Sequence, residues 1–392
     1  MMSESKGHTV ACMIRLVNLR KRGFTAMEKT QKFGFIGFGL IGGSIAKAIR
    51  LFLPDSVLIA YDIDTPSLYA AAQDGMLNTV CDAIDERYRS CDYIFLCAPV
   101  TCNEEYLSVI KPYLRPDTIL TDVGSVKGGM HRAVRKLGLE HNFIGGHPMT
   151  GSEKSGYANA KALLLENAYY ILTPEPEVPK EKIAEYKALV ETLHGLPIIL
   201  DSDHHDEITS VISHLPHIIA AGLVNFVRTS DDDEERMREL VAGGFKDITR
   251  IASSSPAMWE SICLSNSEWI IKTLHAYIDS LTDMARRIEN HDRNGIANYF
   301  SKARDYRDSI PDRKSGPITM SYVLYCDLID EAGGIATIAT ILATNGISIK
   351  NIGIIHNREF EEGVLRMEFY DDASLEEGIR LLKRHHYTIY TR

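Results

Sequence analysis

The sequence has few of the features that mark several large protein classes. Its 7 cysteines are scattered, with no C-x-x-C pair, which favours reduced thiols in a cytoplasm over a disulfide framework or zinc site. Lys and Arg number 43 against 53 Asp and Glu, so the net charge of −10 gives no sign of a nucleic-acid or anionic-membrane partner. We find no apolar run as long as a membrane span, and no repeats or low-complexity tracts. We therefore expect a cytoplasmic protein.

What remains is an ordinary globular composition. The chain of 392 residues is 45% hydrophobic and 24% charged, which is enough for two or three domains. Residues 1–26 are basic and fit no element of the fold predicted below, whereas Met27 stands just before the first predicted strand. We expect a weakly ordered leader over 1–30, from an upstream start rather than a targeting signal.

A glycine-rich stretch after the first apolar run predicts a dinucleotide site. Residues 33–36 are apolar, residues 37–42 read G-x-G-x-x-G, and residues 44–50 have a helical pattern. This order of strand, turn and helix places a pyrophosphate at the helix N-terminus. The predicted cofactor-binding residues of this turn are Gly37, Gly39, Leu40, Ile41 and Gly42. A glycine turn of another α/β protein is the alternative.

Asp62 indicates which dinucleotide binds. It ends the second predicted strand, 20 positions after Gly42, where an acid binds the ribose 2′-hydroxyl and repels a 2′-phosphate. We therefore predict NAD rather than NADP. A later buried strand ends at Ala98, Pro99 and Val100, which we expect beside the nicotinamide ribose and phosphates.

The pattern of elements predicts three domains. Strands alternate with helices over 31–201, which is typical of a Rossmann-type doubly wound sheet. Long helices dominate 202–310, one of them kinked at Pro216, and their apolar faces predict an all-helical dimerisation domain. A polar linker over 311–317 leads to a β-α-β-β-α-β pattern over 318–392, which predicts a ferredoxin-like domain.

Two residues at predicted strand ends are candidates for proton transfer. His147 lies in a glycine-rich stretch at a strand end, where close approach by a ligand is expected. A histidine titrates near neutrality and can take a proton as a hydride leaves. Ser125 follows Gly124 at another strand end and can hydrogen-bond the same group. The alternative for His147 is a structural hydrogen bond.

Two further pairs lie on helices. His214 and His217 are 3 positions apart and Lys246 and Arg250 are 4 apart, so each pair shares a helix face. Two cations suit a substrate with carboxylates, which Arg can bind through two parallel hydrogen bonds. A solvated face is the alternative for the cations, and buried polar groups or a zinc pair for the histidines. No third ligand cluster lies nearby in sequence, so we predict no metal site.

Together these motifs resemble one family. Over about residues 32–290 the chain is similar to prephenate dehydrogenases, enzymes of tyrosine biosynthesis. The resemblance rests on GFIGFGLIGGS, DVGSVK, GGHPMTGSEKSG, SHLPH, and GGFKDITRIA followed by Met258-Trp259. The C-terminal pattern resembles an ACT domain, an amino-acid-sensing module, through its topology with Gly333 and Asn351.

The resemblance implies oxidative decarboxylation of prephenate by NAD⁺ to 4-hydroxyphenylpyruvate, CO₂ and NADH. It assigns catalytic roles to His147 at the 4-hydroxyl, to Ser125 as its hydrogen-bonding companion, and to Arg250 at a carboxylate. His205 is a nearby family histidine to which the resemblance assigns no role. The implied substrate-binding residues are Ser152, Glu153, His214, His217, Gly243 and Lys246. The implied regulatory residues are Asp330, Gly333 and Asn351.

We expect a homodimer inhibited by L-tyrosine at the C-terminal domain. One alternative is an arogenate dehydrogenase, whose substrate has an amino group in place of the keto oxygen. A second is a non-catalytic sensor of NAD and an amino acid. A third is another hydroxy-acid dehydrogenase with a helical dimer domain, which would use a lysine base that the G-G-H-P-M string does not supply.

Overall fold

A computed structural model describes residues 30–151, 154–310, 322–327, 333–355 and 364–390. It divides into two compact units, Met1–Lys314 and Ser315–Arg392, which are treated separately. The predicted linker over 311–317 lies outside the described residues, as does the predicted leader apart from Thr30.

The first unit begins with a parallel sheet of five strands in the order β3-β2-β1-β4-β5. The strands are β1 Lys32–Ile36, β2 Val57–Tyr61, β3 Thr79–Cys81, β4 Tyr93–Leu96 and β5 Ile119–Asp122. β1 lies at the centre, so the turn that follows it opens at the middle of the carboxyl edge. The short strand β3 was not predicted from the sequence.

A second sheet continues from the first. It has the order β6-β7-β8, with β6 antiparallel to β7 and β7 parallel to β8. Its strands are β6 Ile144–Pro148, β7 Tyr169–Pro174 and β8 Leu196–Ile199. A parallel backbone bridge between Leu120 of β5 and Phe143 joins the two sheets. The prediction of one doubly wound sheet is thus correct for the first five strands, whereas β6 to β8 form a mixed extension.

Helices cover both faces of this layer. They are α1 Leu40–Phe52, α2 Thr65–Gln73, α3 Val100–Ile110, α4 Gly128–Leu137 and α5 Lys180–Thr192. Successive strand residues face opposite cores: Phe33 and Phe35 of β1 lie in one buried cluster, and Ile36 lies in the other. Burial on both faces explains the continuous apolar runs of the parallel strands.

Seven helices follow: α6 Ser202–Thr209, α7 Leu215–Ser230, α8 Arg236–Leu240, α9 Gly243–Thr249, α10 Pro256–Ser265, α11 Ser267–Glu289 and α12 Arg293–Ser309. A π turn over Ser210–His214 joins α6 to α7, and Pro216 lies in the first turn of α7. A wider turn thus lies just upstream of Pro216, where the sequence predicted a kink, and it gives the ring room beside the preceding carbonyls. The predicted helix over 257–290 breaks at Asn266.

One prediction about apolar runs was wrong. The run Ser202–Ser230 is long and apolar enough to cross a bilayer by length and composition alone. Only 17% of its most apolar window is buried in the single chain. Ile212 and Phe226 are exposed, as are Ile271 and Ile278 of α11. These helices therefore present an apolar surface that other apolar groups can cover.

Over its described residues, the second unit forms a four-stranded antiparallel sheet in the order β10-β11-β9-β12, with two helices. Its elements are β9 Tyr322–Asp327, α13 Gly334–Thr344, β10 Ile349–Ile355, β11 Val364–Phe369, α14 Asp372–Arg384 and β12 Ile389–Tyr390. Its core includes Leu324, Leu342 and Leu382. The β-α-β-β-α-β order and the sheet order agree with the predicted ferredoxin-like pattern.

Candidate active site

The three glycines after β1 have three different surroundings. Gly37 has φ +90°, and a Cβ there would lie 2.5 Å from the amide nitrogen of Ala98. A Cβ at Gly42 would lie 2.9 Å from the carbonyl oxygen of Gly37, because helix and strand pack closely there. A Cβ at Gly39 would meet nothing within 4 Å. The space beside Gly39 is thus open to a ligand, as a pyrophosphate requires.

The N-terminus of α1 is suited to a phosphate. Leu40 and Ile41 are its first residues, and Gly39 in the N-cap position provides no side chain to bond the first N–H groups. Unbonded N–H groups and the positive end of the helix dipole attract an anion. The residues of this turn therefore fit the predicted dinucleotide.

Asp62 lies directly beside this turn, just after β2. Its Oδ2 accepts a hydrogen bond from the amide of Phe38 at 2.5 Å, and its Oδ1 accepts one from Asp64 at 2.8 Å. Pro99 is the N-cap of α3, which begins at Val100 after β4. The predicted cofactor residues thus share the carboxyl edge of the parallel sheet, where such folds bind nucleotides.

His147, in β6, contacts a second histidine and through it a carboxylate. Its Nδ1 lies 2.8 Å from Nε2 of His205, and Nδ1 of His205 lies 2.8 Å from Oδ1 of Asp206. His205 and Asp206 belong to α6 and are buried, whereas His147 is partly exposed. The three side chains form a line from the helical part of the unit to the end of β6.

Asp206 is fixed by the turn that precedes α4. The amide of Lys127 donates to its Oδ1 and the amide of Gly128 to its Oδ2, both at 2.8 Å. The ammonium of Lys127 donates to Oδ2 of Asp122 at 2.5 Å and to the carbonyl of Gly146 at 2.7 Å. The buried lysine therefore ties β5 to the strand that carries His147.

Close packing leaves no room for a side chain at either of the two glycines before His147. A Cβ at Gly145 would lie 2.3 Å from Oγ1 of Thr173, and one at Gly146 would lie 2.6 Å from the carbonyl oxygen of Asp122. The sequence predicted close approach by a ligand here. The nearest groups to these two glycines belong instead to the neighbouring strands β5 and β7.

Burial disfavours the charged form of two of these histidines, His147 and His214. Burial lowers the pKa of His147 well below its usual value, and the nearby His205, Lys127 and His214 act in the same direction. Burial also lowers the pKa of His214 to about 4, although Asp206 opposes the shift. A neutral His147 can accept a proton or a hydrogen bond at neutral pH.

His214 and His217 border the same cluster. Nδ2 of Asn266 donates to the carbonyl of Asp206 at 2.9 Å and lies 3.1 Å from Nδ1 of His214. His217 stacks on Trp259 with ring centroids 4.1 Å apart, and His214 meets the same indole edge-on at 6.0 Å. The break between α10 and α11 is thus what brings Asn266 to Asp206.

The other predicted site residues are less closely tied to the histidines. Ser125 lies in the turn after β5 and is partly exposed. Lys246 and Arg250 are exposed, near the C-terminal end of α9 and in the short turn after it, and this segment packs on α7, the helix of His217. Gly243 begins α9. Two predicted substrate residues, Ser152 and Glu153, lie outside the described residues.

Several residues that border the histidine cluster were not predicted from the sequence. Asp206 and Asn266 were not singled out, Trp259 was quoted only as part of a string, and His205 had no assigned role. Adjacency in the string H-H-D was the only sequence signal for the buried pair of His205 and Asp206. Across the described residues, no group of three His, Cys, Asp or Glu side chains is placed to hold a metal ion.

Comparison with known proteins identifies the family. Residues 45–198 match the prephenate dehydrogenase nucleotide-binding domain, and residues 201–302 match the prephenate dehydrogenase dimerization domain. The prephenate dehydrogenase of Bacillus subtilis is 39% identical over 341 residues, which cover 86% of this chain and 91% of that protein. The chain belongs to the prephenate dehydrogenase family. The family predicted from the motifs is thereby confirmed.

Solved structures agree with this assignment. The chain resembles the prephenate dehydrogenase of Aquifex aeolicus in complex with hydroxyphenyl propionate and NAD⁺, with a TM-score of 0.69 and 30% identity over 73% of this chain and 100% of that one. It also resembles Synechocystis arogenate dehydrogenase, with a TM-score of 0.66 and 26% identity over 72% and 100%. The similar solved structures thus include enzymes named for two related substrates, prephenate and arogenate.

Proposed function

We propose that this protein is an NAD-dependent prephenate dehydrogenase, converting prephenate to 4-hydroxyphenylpyruvate and CO₂ in tyrosine biosynthesis. The observation that carries the proposal is His147 at the end of β6, with Nδ1 2.8 Å from Nε2 of His205 and a pKa lowered by burial, in a chain that also has an open dinucleotide turn. NAD⁺, when bound, accepts the hydride from the ring carbon that bears the 4-hydroxyl. The chain supplies what the remaining steps need.

His147 accepts the proton, or a strengthening hydrogen bond, from the 4-hydroxyl as the hydride leaves. Its lowered pKa keeps the ring uncharged, so the base is present at neutral pH. Ser125 hydrogen-bonds the same hydroxyl. Arg250 binds a carboxylate of the substrate. The remaining proposed substrate residues are Ser152, Glu153, His214, His217, Gly243 and Lys246.

The substrate's carboxylates explain why the site needs cations. Prephenate has two of them, and Arg can bind one through two parallel hydrogen bonds while Lys supplies a point charge. Asp62 beside the dinucleotide turn disfavours a 2′-phosphate, which supports NAD over NADP.

We place the domain boundaries at 31–201 for the nucleotide domain, 202–310 for the substrate and dimerisation domain, and 318–392 for an ACT domain, with a leader over 1–30 and a linker over 311–317. The protein acts as a homodimer in the cytoplasm, with the exposed faces of α7 and α11 buried in the dimer. The family's dimerization domain, matched over 201–302, supports this assembly.

The ACT assignment rests on topology. The order of elements and the sheet order β10-β11-β9-β12 are those of a ferredoxin-like unit. Gly333 has φ +99° before α13, and Asn351 follows a shift of register in β10. With Asp330, which lies outside the described residues, these form the proposed regulatory site for L-tyrosine.

One assay tests the function. Purified protein is given NAD⁺ or NADP⁺ with prephenate or with arogenate, and the absorbance band of NADH or NADPH is followed. We expect turnover with prephenate and NAD⁺. Turnover with arogenate alone would establish the alternative of an arogenate dehydrogenase, the activity named for the similar Synechocystis enzyme. No turnover with either substrate would leave the non-catalytic sensor, and a preference for NADP⁺ would contradict the role of Asp62.

A further inference from the structure

We propose that His205 and Asp206 are a positioning pair that holds His147 in one tautomer, with a proton on Nδ1 and a lone pair on Nε2. The proposal deepens the function above and rests on it for the role of His147 as the base. It assigns a role to two buried residues that the motifs left without one.

The argument begins at Asp206. Both of its oxygens face N–H donors: Oδ1 meets the amide of Lys127 and Oδ2 the amide of Gly128, each at 2.8 Å. Amides can only donate, so this carboxyl group acts as an acceptor and suits the ionised form. Gly128 is also the first residue of α4, where the helix dipole favours a negative charge.

The state of Asp206 fixes the tautomer of His205. Nδ1 of His205 lies 2.8 Å from a carboxylate oxygen, so this nitrogen donates its hydrogen. The ring is fully buried, and the nearby ammonium of Lys127 is already bonded to Asp122 and so is not a partner for His205. In the neutral ring that we propose, Nε2 carries the lone pair and accepts.

The tautomer of His205 in turn determines that of His147. Its Nδ1 lies 2.8 Å from that accepting Nε2 of His205, so Nδ1 of His147 must hold the hydrogen. Its own Nε2 is left with the lone pair, as a base for a hydroxyl proton requires. The titratable groups that act on His147 from the packed elements are His205, Lys127 and His214. All three disfavour a charged ring, so the tautomer rather than the charge is what the pair selects.

The test needs no substrate. Ring nitrogens with and without a proton have well-separated ¹⁵N chemical shifts, and the full chain can be labelled on its 14 histidines. Signals lost in the His147→Asn variant identify His147. We expect Nδ1 of His147 in the protonated range and Nε2 in the unprotonated range near neutral pH. The reverse assignment, or a charged His205, would overturn the proposal.

Two variants of His205 separate positioning from folding. In His205→Gln the amide oxygen can still accept from His147 and its NH₂ can donate to Asp206, whereas His205→Phe fills the space but does neither. We expect the Phe variant to lose the tautomer preference and to lower kcat about 10- to 100-fold, with the KM for prephenate and the affinity for NAD⁺ unchanged. The Gln variant should keep most of the tautomer preference and most of the wild-type kcat.

The outcomes are distinguishable from failure of the proposed function. If the protein does not turn over prephenate, the wild-type spectrum still supports or overturns the tautomer. If it does turn over prephenate, equal kcat values for the Phe and Gln variants, at equal thermal stability, would show that the pair does not position His147. The wild-type spectrum keeps the proposal testable if the Phe variant fails to fold.

Discussion

At the scale of single residues, some residues of the candidate site are visible in local sequence patterns, whereas others are visible only in the tertiary contacts. His147 and Ser125 follow glycines at strand ends, so the sequence could single them out. Asp206 and Asn266 could not be found in that way, because their partners are 79 and 60 positions away in the chain. Lys127 was seen only as a letter of a motif, yet it is fully buried and joins two strands.

The first residue-scale prediction concerns the base. His147→Asn should lower kcat at least about 100-fold, because an amide cannot accept the proton of the 4-hydroxyl. NAD⁺ binding, measured by titration, should be unchanged. Near-wild-type turnover of the variant would show that His147 is not the base.

A second residue-scale prediction concerns acid. Burial lowers the pKa of His131, His147 and His214 in the folded protein. The unfolded chain therefore binds protons that the folded chain does not, once the pH falls below about 6.5. Stability present above that pH should be lost as the pH falls, towards the folded pKa of about 4 for His214.

Urea unfolding measured from about pH 7.5 to about pH 4.5 checks this dependence. His214→Gln should reduce the loss of stability in that window, because the unfolded variant binds one proton fewer. His204→Gln, at an exposed position of α6, is the matched control and should leave the dependence as it is. Identical curves for the wild type and His214→Gln would contradict the role of burial.

At the scale of elements, the sequence predicted most helices and strands, because their apolar periods reflect burial on one face or two. It failed where packing overrides period. The short strand β3 has only three residues, too few to show a period, and the π turn over Ser210–His214 lies just before Pro216 in the first turn of α7. The antiparallel pairing of β6 with β7 also has no local signal.

The turn between β1 and α1 provides the element-scale prediction. Gly42→Ala should destabilise the fold by about 1–3 kcal/mol, because its Cβ would press on the backbone of Gly37. Gly39→Ala should leave the melting temperature nearly unchanged but weaken NAD⁺ binding about tenfold or more, since the space it fills is that of the pyrophosphate. Thermal melts and NAD⁺ titrations of both variants measure these two effects. Tight NAD⁺ binding by Gly39→Ala would contradict the pyrophosphate site beside Gly39.

At the scale of the whole molecule, exposed apolar surface is the main feature of the helical part. Phe226 is 69% exposed in the single chain and lies in the run Ser202–Ser230, which is long and apolar enough to span a membrane. The matched dimerization domain accounts for such a surface without a bilayer. The oligomeric state of the whole protein therefore tests whether this apolar surface is buried between subunits.

We predict that Phe226→Asp converts the protein to monomers in sedimentation velocity, because a charge would be buried in the dimer interface. Leu51→Asp, at an equally apolar and exposed position of α1, is the control and should stay dimeric. An unchanged dimer in the Phe226 variant would place the interface elsewhere.

The C-terminal unit provides a second whole-molecule prediction. It forms a compact unit of its own, so a chain ending at Gly316 should keep its turnover. We expect that chain to lose inhibition by L-tyrosine, and the full-length Asn351→Ala variant to need more tyrosine for the same inhibition. Tyrosine titrations of all three proteins test this. Undiminished inhibition of the shortened chain would mean that tyrosine acts at the active site.

The sequence by itself determined the family and the cofactor class and predicted the order of domains, because these depend on local strings and on the period of apolar residues. It also located His147, which follows a glycine pair at a strand end. Only the tertiary structure decided which groups surround His147. The line through His205 to Asp206, and the burial that keeps the ring neutral, join β6 to α6 across 58 positions of chain. Charge state and tautomer depend on such contacts, and no local pattern encodes them.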